Sequence, residues 1–339
     1  MPRILLAGRA PTTGGAEAML PIIRDTYRGL GYDTRVVYEH DGDVDRDPRG
    51  VVVDAVALER ILLDWKPDAV YLNSGVYRRG IRAPAGTRVI RHLHSTARAW
   101  AGTVNVAGVN TVIALGPVTA HGFYRSFKRF DGRVLVIPNP CRVPVSTRRP
   151  GREIRNLLWV GRWSSEKNPV RVAEIFADFL TCRPDARLLV LAGASESAPK
   201  ISLSRWAKQR SIFEGKLSAL GVSSDRWTEL PHCDPVPHYD WADALFLPSA
   251  REGAPLCLLE AQARGLPVFA YAIGEIPTVA KGQGIIRPNG DLAKWMLGTT
   301  PDEYARMSRR GVYAASQLNL DLWRRSYGHS FKKAAEGGA

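Results

Sequence analysis

Short apolar runs of four to six residues alternate with amphipathic or turn-rich segments along this chain, and the rhythm starts twice. In the first half Ile4–Ala7 reads as a strand. Gly14–Gly15 then opens a helix from Ala16 to about Leu30, which Gly31 stops. Arg35–Tyr38 is a second strand and Ala55–Trp65 a helix. Ala69–Leu72, Val89–Leu93, Thr111–Leu115 and Val134–Ile137 are further strands. Pro138–Asn139–Pro140 closes this half, and a Pro/Arg-rich connection runs to about Arg155. The second half predicts strands at Leu157–Val160, Leu188–Ala192, Trp227–Leu230, Ala244–Leu247 and Val268–Tyr271. Its helices are expected over Val170–Leu180, 291–298, 301–317 and Leu320–Ala334. Strands alternating with helices predict an α/β class with parallel sheets. The 339 residues suffice for two domains, each with its own core. The expected division is 1–140, a linker over 141–155, 156–318, and a last helix over 319–339. No internal repeat or low-complexity tract appears.

One stretch organises the second half. Ala244–Leu247 reads as a buried strand, Gly253 and Pro255 mark a tight turn with Pro255 suited to the first helical position, and the helix that follows, up to Ala263, is Leu, Cys and Ala apart from Glu260 and Gln262. Strand, glycine turn and helix N-terminus present free main-chain N–H groups, which is an anion site. The amides of Gly253, Ala254, Pro255 and Leu256 mark its position, although Pro255 has no N–H to give. Glu260 in an apolar helix needs a partner, because an unpaired buried carboxylate is costly. Ribose hydroxyls or a nearby arginine would serve. Upstream, Arg162 and Lys167 lie on one loop after a strand that ends at Gly161, and two cations there suit a diphosphate.

These residues carry a family resemblance. Glu252-Gly-x-Pro-x-x-Leu-Leu-Glu260-Ala, followed by Gly265–Leu266–Pro267–Val268, resembles the E-x7-E signature of retaining GT-B glycosyltransferases of family four, the group 1 glycosyl transferases. Val160–Gly161–Arg162–Trp163–Ser164–Ser165–Glu166–Lys167–Asn168 is similar to the same family's V-G-R-x-x-x-E-K-N donor loop. Gly14, Gly15 and Glu17 look like its G-G-x-E loop. Ile273–Gly274–Glu275–Ile276–Pro277 resembles its G-G-x-P turn, with Glu275 in place of the second glycine. The resemblance implies two Rossmann-like domains facing across a cleft and transfer of a hexose-type sugar from a UDP- or GDP-sugar, with retention and without a metal or other cofactor. By the same resemblance Arg162 and Lys167 hold the diphosphate, Glu260 takes the ribose, Glu252 faces the sugar, and His94 lies near sugar and acceptor. His92 and His94 flank Leu93 at a strand end, so both point to one face.

Charge raises the question of the acceptor. The net charge is +14, and residues 69–130 contain no Asp or Glu but nine Arg and Lys, among them Arg78, Arg79, Arg82, Arg88 and Arg91. A field of one sign attracts an anionic partner. An anionic lipid surface or lipid-linked or cell-envelope glycan fits, and so does DNA carrying hydroxymethylated bases, with Trp100, Tyr124 and Trp206 available to stack. A sugar-nucleotide epimerase or a non-catalytic binding protein of the same architecture are further alternatives. Asp41-x-Asp43-x-Asp45-x-Asp47 lacks the glycine and terminal Glu of a calcium loop and reads as a solvated acidic loop. Cysteines at 141, 182, 233 and 257 form no C-x-x-C pair, which points to a reducing compartment. No apolar run approaches the length of a membrane span, and the apolar core at Ile4–Ala7 is too short for a signal peptide. The expected location is cytoplasmic, at most peripheral to a membrane.

Overall fold

The computed structural model describes residues 1–9, 15–39, 51–77, 80–95, 104–146, 153–192, 200–231 and 233–337. They fall into two compact units, Met1–Pro138 with Asp321–Ala339, and Asn139–Leu320.

The first unit runs β1 (Arg3–Arg9), α1 (Gly15–Gly29), β2 (Asp33–Glu39), β3 (Val51–Val53), α2 (Ala55–Trp65), β4 (Ala69–Asn73), β5 (Arg88–Leu93), β6 (Thr111–Ala114), α3 (Pro117–Ser126) and β7 (Arg133–Val136). Its strands form a sheet in the order β3-β2-β1-β4-β5-β6-β7, and every pairing is parallel. β1 and β4 are buried on both faces, which is why they read as continuous apolar runs rather than alternating ones. Leu58, Leu62 and Trp65 of α2 and Phe123 of α3 pack with Leu5, Val70 and Leu72 in one core.

The second unit runs β8 (Asn156–Val160), a short 3-10 turn at Ser165–Lys167, α4 (Pro169–Cys182), β9 (Arg187–Leu191), α5 (Lys200–Ala219), β10 (Trp227–Leu230), α6 (Val236–Trp241), β11 (Ala244–Leu247), α7 (Leu256–Ala263), β12 (Val268–Tyr271), α8 (Ile276–Val279), β13 (Gly284–Ile286), α9 (Leu292–Gly298) and α10 (Pro301–Ser316). The strand order is β10-β9-β8-β11-β12-β13, again all parallel. Both sheets therefore start at a central strand, grow to one side, and then resume on the other. The reversal lies between β1 and β4 in one unit and between β8 and β11 in the other, and the carboxyl ends of such strand pairs are where α/β ligands bind.

Several short elements were not expected: β3, α3, α6, α8 and β13. α5 was not expected either, because its pattern hides it. Phe213 and Leu217 are buried and Trp206 packs on the core, while Leu203 and Ile212 are exposed, so no single apolar stripe marks the helix. The expected linker is tied into the second unit as far as Ser146, because Cys141 N donates to Leu318 O at 2.7 Å and Ser146 N to Ala263 O at 2.8 Å. All four cysteines are free thiols.

The chain ends in α11 (Leu320–Glu336), which belongs with the first unit from Asp321 onward. Trp323 is fully buried and its Nε1 donates to Pro138 O at 2.6 Å. Phe331 stands edge-on to Tyr27 at 5.7 Å between ring centroids, and the Tyr27 hydroxyl donates to Phe331 O at 3.3 Å. Trp323→Ala is expected to cost about 3–5 kcal/mol, read as a fall in the midpoint of urea unfolding. Tyr313→Ala, at a position 69% exposed on α10, is expected to change stability by no more than about 0.5 kcal/mol.

Candidate functional site

At the reversal point of the second unit, two loops lie side by side. The first, Gly161–Asn168, follows β8. The Lys167 stem passes over Gly161, where a Cβ would lie 3.4 Å from Lys167 Cγ, in van der Waals contact. Asn168 ends the turn in the left-handed region, φ 54°, and its Nδ2 donates to Pro248 O at 3.3 Å. The second loop, Pro248–Pro255, follows β11. Ala250 N and Arg251 N both donate to Glu166 O, at 2.8 and 3.2 Å, and Arg251 Nη2 pairs with Glu166 Oε1 at 2.7 Å.

The side chains at this junction carry charge. Lys167 Nζ donates to Glu252 Oε1 at 2.6 Å, and Ser249 Oγ donates to the same oxygen at 2.8 Å. The pair is largely buried, with 17% of the lysine and 7% of the glutamate side chain exposed. Burial opposes the ammonium charge, but the Glu252 carboxylate outweighs it and raises the lysine above its usual pKa. Arg162 is half-buried and makes no hydrogen bond or ion pair among the described residues, which leaves one cation uncommitted. The N–H groups of Gly253 and Ala254 likewise have no acceptor among the described residues. Pro255 caps α7 rather than entering it. The turn is held from outside by Asn139 Nδ2, which donates to Ala254 O at 2.8 Å, and by Glu275 N, which donates to Gly253 O at 2.8 Å. Gly274 makes that approach possible. Its φ is +54° and a Cβ there would fall 2.7 Å from Gly253 O.

Glu260 is buried in the middle of α7, and both its oxygens are engaged. Arg142 donates to Oε1 through Nε at 3.0 Å and through Nη2, and the Tyr239 hydroxyl donates to Oε2 at 2.9 Å. The arginine partner open at the sequence level is thus Arg142.

In the first unit the reversal point gathers a second cluster. Asn73, the last residue of β4, donates from Nδ2 to Ala16 O at 2.8 Å, beside Gly15 at the start of α1. Its Oδ1 meets His94 Nε2 at 2.8 Å. The rings of His92 and His94 lie 4.0 Å apart between centroids, tilted to each other on their shared face, and His92 Nδ1 bonds the Tyr71 hydroxyl. Burial holds His94 down to about 3, and burial together with His94 holds His92 well below the usual imidazole value. Both rings are neutral at pH 7.

The acid-free interval is less of a surface than the sequence implies. Arg91 is fully buried, and its guanidinium donates to Val76 O at 2.9 Å, Tyr77 O at 3.3 Å and Ser74 O at 3.4 Å, so it pins the turn after β4 instead of facing a partner. Burial lowers it to about 10, against the pull of Glu39. Arg82 is exposed, as are Arg125, Lys128 and Arg129. Trp206 packs on the core of the second unit. Gly14, Arg78, Arg79, Trp100 and the Asp41–Asp47 run lie outside the described residues. Among the described residues no cluster of three metal-ligating side chains occurs, and no helix is long and apolar enough to cross a membrane.

Two parallel sheets, each doubly wound about its own reversal point, define the GT-B glycosyltransferase fold. Sucrose-phosphate synthase from Thermosynechococcus elongatus shares it at a TM-score of 0.73 and 16% identity, over all of both chains. Anabaena HepE, solved in complex with UDP and glucose, shares it at 0.75 and 15%, over 98% of this chain and all of that one. Residues 154–298 match the family described as Glycosyl transferases group 1. Curated relatives include D-inositol 3-phosphate glycosyltransferases of Segniliparus rotundus, 27% identical over 54% of this chain and 41% of that protein, and of Kineococcus radiotolerans, 27% over 61% and 54%. The matches thus span about half the length of these relatives or less.

Two outcomes check this geometry. Arg142→Met leaves buried Glu260 without its cation and is expected to cost about 1–3 kcal/mol. Adding Glu260→Gln is expected to recover part of that loss, so a double-mutant cycle on thermal melts gives a nonzero coupling. The histidine pair gives a pH dependence. An unfolded histidine takes up a proton near pH 6.5 and the folded pair does not, so stability is full above that pH and falls as pH drops toward about 3. The melting temperature of His92→Gln/His94→Gln should decline less steeply across that window than that of the parent.

Proposed function

We propose that this chain transfers a sugar from a UDP- or GDP-sugar to a hydroxyl of an anionic acceptor, with retention of configuration. The observation that carries the reading is the junction of the two loops at the β8/β11 reversal point. Arg162, Lys167 and the unengaged amides of Gly253 and Ala254 meet there, as a diphosphate leaving group needs. Arg162 and the amide dipoles supply positive charge that a metal would otherwise bring, while Lys167 and Ser249 hold Glu252, which is set to take a sugar hydroxyl. In the front-face mechanism that the family resemblance implies, the bond from sugar C1 to the diphosphate oxygen breaks. The acceptor oxygen bonds C1 on the same face, and its proton passes to the departing diphosphate. His94 and main-chain donors orient the sugar.

An anionic acceptor is supported by two observations. The curated relatives are named for inositol 3-phosphate, a phosphorylated polyol. The first unit also keeps Arg82, Arg125, Lys128 and Arg129 exposed. A small phosphorylated polyol is the reading preferred here; anionic vesicles and DNA bearing hydroxymethylated bases are the other acceptors to assay, in a cytoplasmic setting.

Arg162→Ala is expected to weaken UDP or GDP binding about tenfold or more, some 1.4 kcal/mol, with an unchanged melting temperature because no partner among the described residues is lost. Calorimetry with both nucleotides checks this; equal affinity in parent and variant contradicts it. In transfer assays, inositol phosphate should outrun uncharged inositol, and Arg82→Glu should raise the acceptor KM while acceptor-free hydrolysis of the sugar nucleotide stays unchanged.

A further inference from the structure

His94 has a fixed polarity, and Asn73 is the residue that sets it. Asn73 Nδ2 lies 2.8 Å from Ala16 O. A carbonyl oxygen only accepts, so this end of the side chain is the NH2 group and the other end is the carbonyl oxygen Oδ1. His94 Nε2 lies 2.8 Å from that Oδ1. Oδ1 has no proton to give, so Nε2 carries one. The reverse arrangement would set the Asn73 oxygen against the Ala16 oxygen, two acceptors at hydrogen-bond distance. His92 braces the ring from the side, its plane tilted 43° to that of His94, and the Tyr71 hydroxyl holds His92 in turn. The neutral state of His94 leaves a lone pair on Nδ1. Nδ1 has no partner among the described residues, and His94 is only partly covered.

We propose that Asn73 is a positioning residue that locks His94 in the Nε2–H tautomer, so that Nδ1 accepts a hydrogen bond from a substrate hydroxyl. The identity of the hydroxyl rests on the glycosyltransferase reading; the tautomer does not. A lone pair at Nδ1 repels phosphate and carboxylate oxygens. His94 therefore stands apart from the basic side chains of its interval and selects a neutral hydroxyl, on the donor sugar or on the acceptor.

The tautomer is read directly by nitrogen-15 NMR of the full chain labelled at histidine, with the His94 signals identified by their loss in His94→Gln. At pH 7 the parent is expected to show Nε2 protonated and Nδ1 not. Asn73→Ala should give a mixture of both tautomers, and Asn73→Asp an imidazolium, since a carboxylate on Nε2–H favours the charged ring. A parent ring protonated on Nδ1 or on both nitrogens overturns the proposal, and so does an Asn73→Ala ring that keeps the parent pattern. The parent spectrum decides even if a variant fails to fold. With UDP-glucose and GDP-mannose as probes, Asn73→Ala should lower kcat by roughly tenfold or more and leave UDP or GDP affinity unchanged. Loss in acceptor-free hydrolysis as well as in transfer to inositol phosphate places the hydroxyl on the donor sugar, and loss in transfer alone places it on the acceptor. Full activity of Asn73→Ala in both assays overturns the proposal. Failure of the parent to bind either nucleotide removes the glycosyltransferase reading and leaves the tautomer result standing.

Discussion

Crossovers between parallel strands are right-handed, so a sheet that grows first to one side of its opening strand and then to the other must place its helices on opposite faces. At the two central strands the chain leaves in opposite directions, and the loops part. Lys167 and Glu252 sit beside such a parting, on loops that follow β8 and β11, and Asn73 ends β4 beside the start of α1, where it meets His94 just past β5. The winding decides where chemistry can be; the loop residues decide what it is.

Charge neutrality governs how these places are furnished. A charge taken out of water must meet an opposite charge or a full set of hydrogen bonds. Lys167 meets Glu252, Glu260 meets Arg142 and Tyr239, and Arg91 meets three carbonyl oxygens. The histidines take the other route and stay neutral. Because Lys167 and Glu252 cancel, the positive charge left uncommitted among the described residues of these two loops comes from Arg162 and from amide dipoles. The junction thus presents donors already aimed rather than a bare excess of cations.

The strands were legible because parallel strands covered on both faces read as unbroken apolar runs, and both central pairs, β1 with β4 and β8 with β11, were placed within a residue or two. The two loops at the β8/β11 reversal could be picked out because Arg162, Lys167 and Glu252 fall within two compact sequence patterns. Arg142 was not, since it meets Glu260 across 118 positions of sequence and nothing local marks it. Asn73 was passed over as a polar residue ending an apolar strand. Arg91 was misjudged for a different reason. Composition counts a cation without saying which way it points, and the same alternation that sets His92 and His94 on one face sends Arg91 into the other. α5 escaped because it buries only part of each turn.

The first unit is assembled from both ends of the chain, and that has a consequence in time. α11 covers Tyr27 and lies over Pro138, yet it is made only after the entire second unit has been translated. At about 5–20 residues per second, the apolar bed for α11 stays open on the nascent chain for on the order of ten to forty seconds. During that wait the second unit, continuous in sequence from Asn139 to Leu320, can complete itself. The half of the protein that begins first on the ribosome is the half that finishes last.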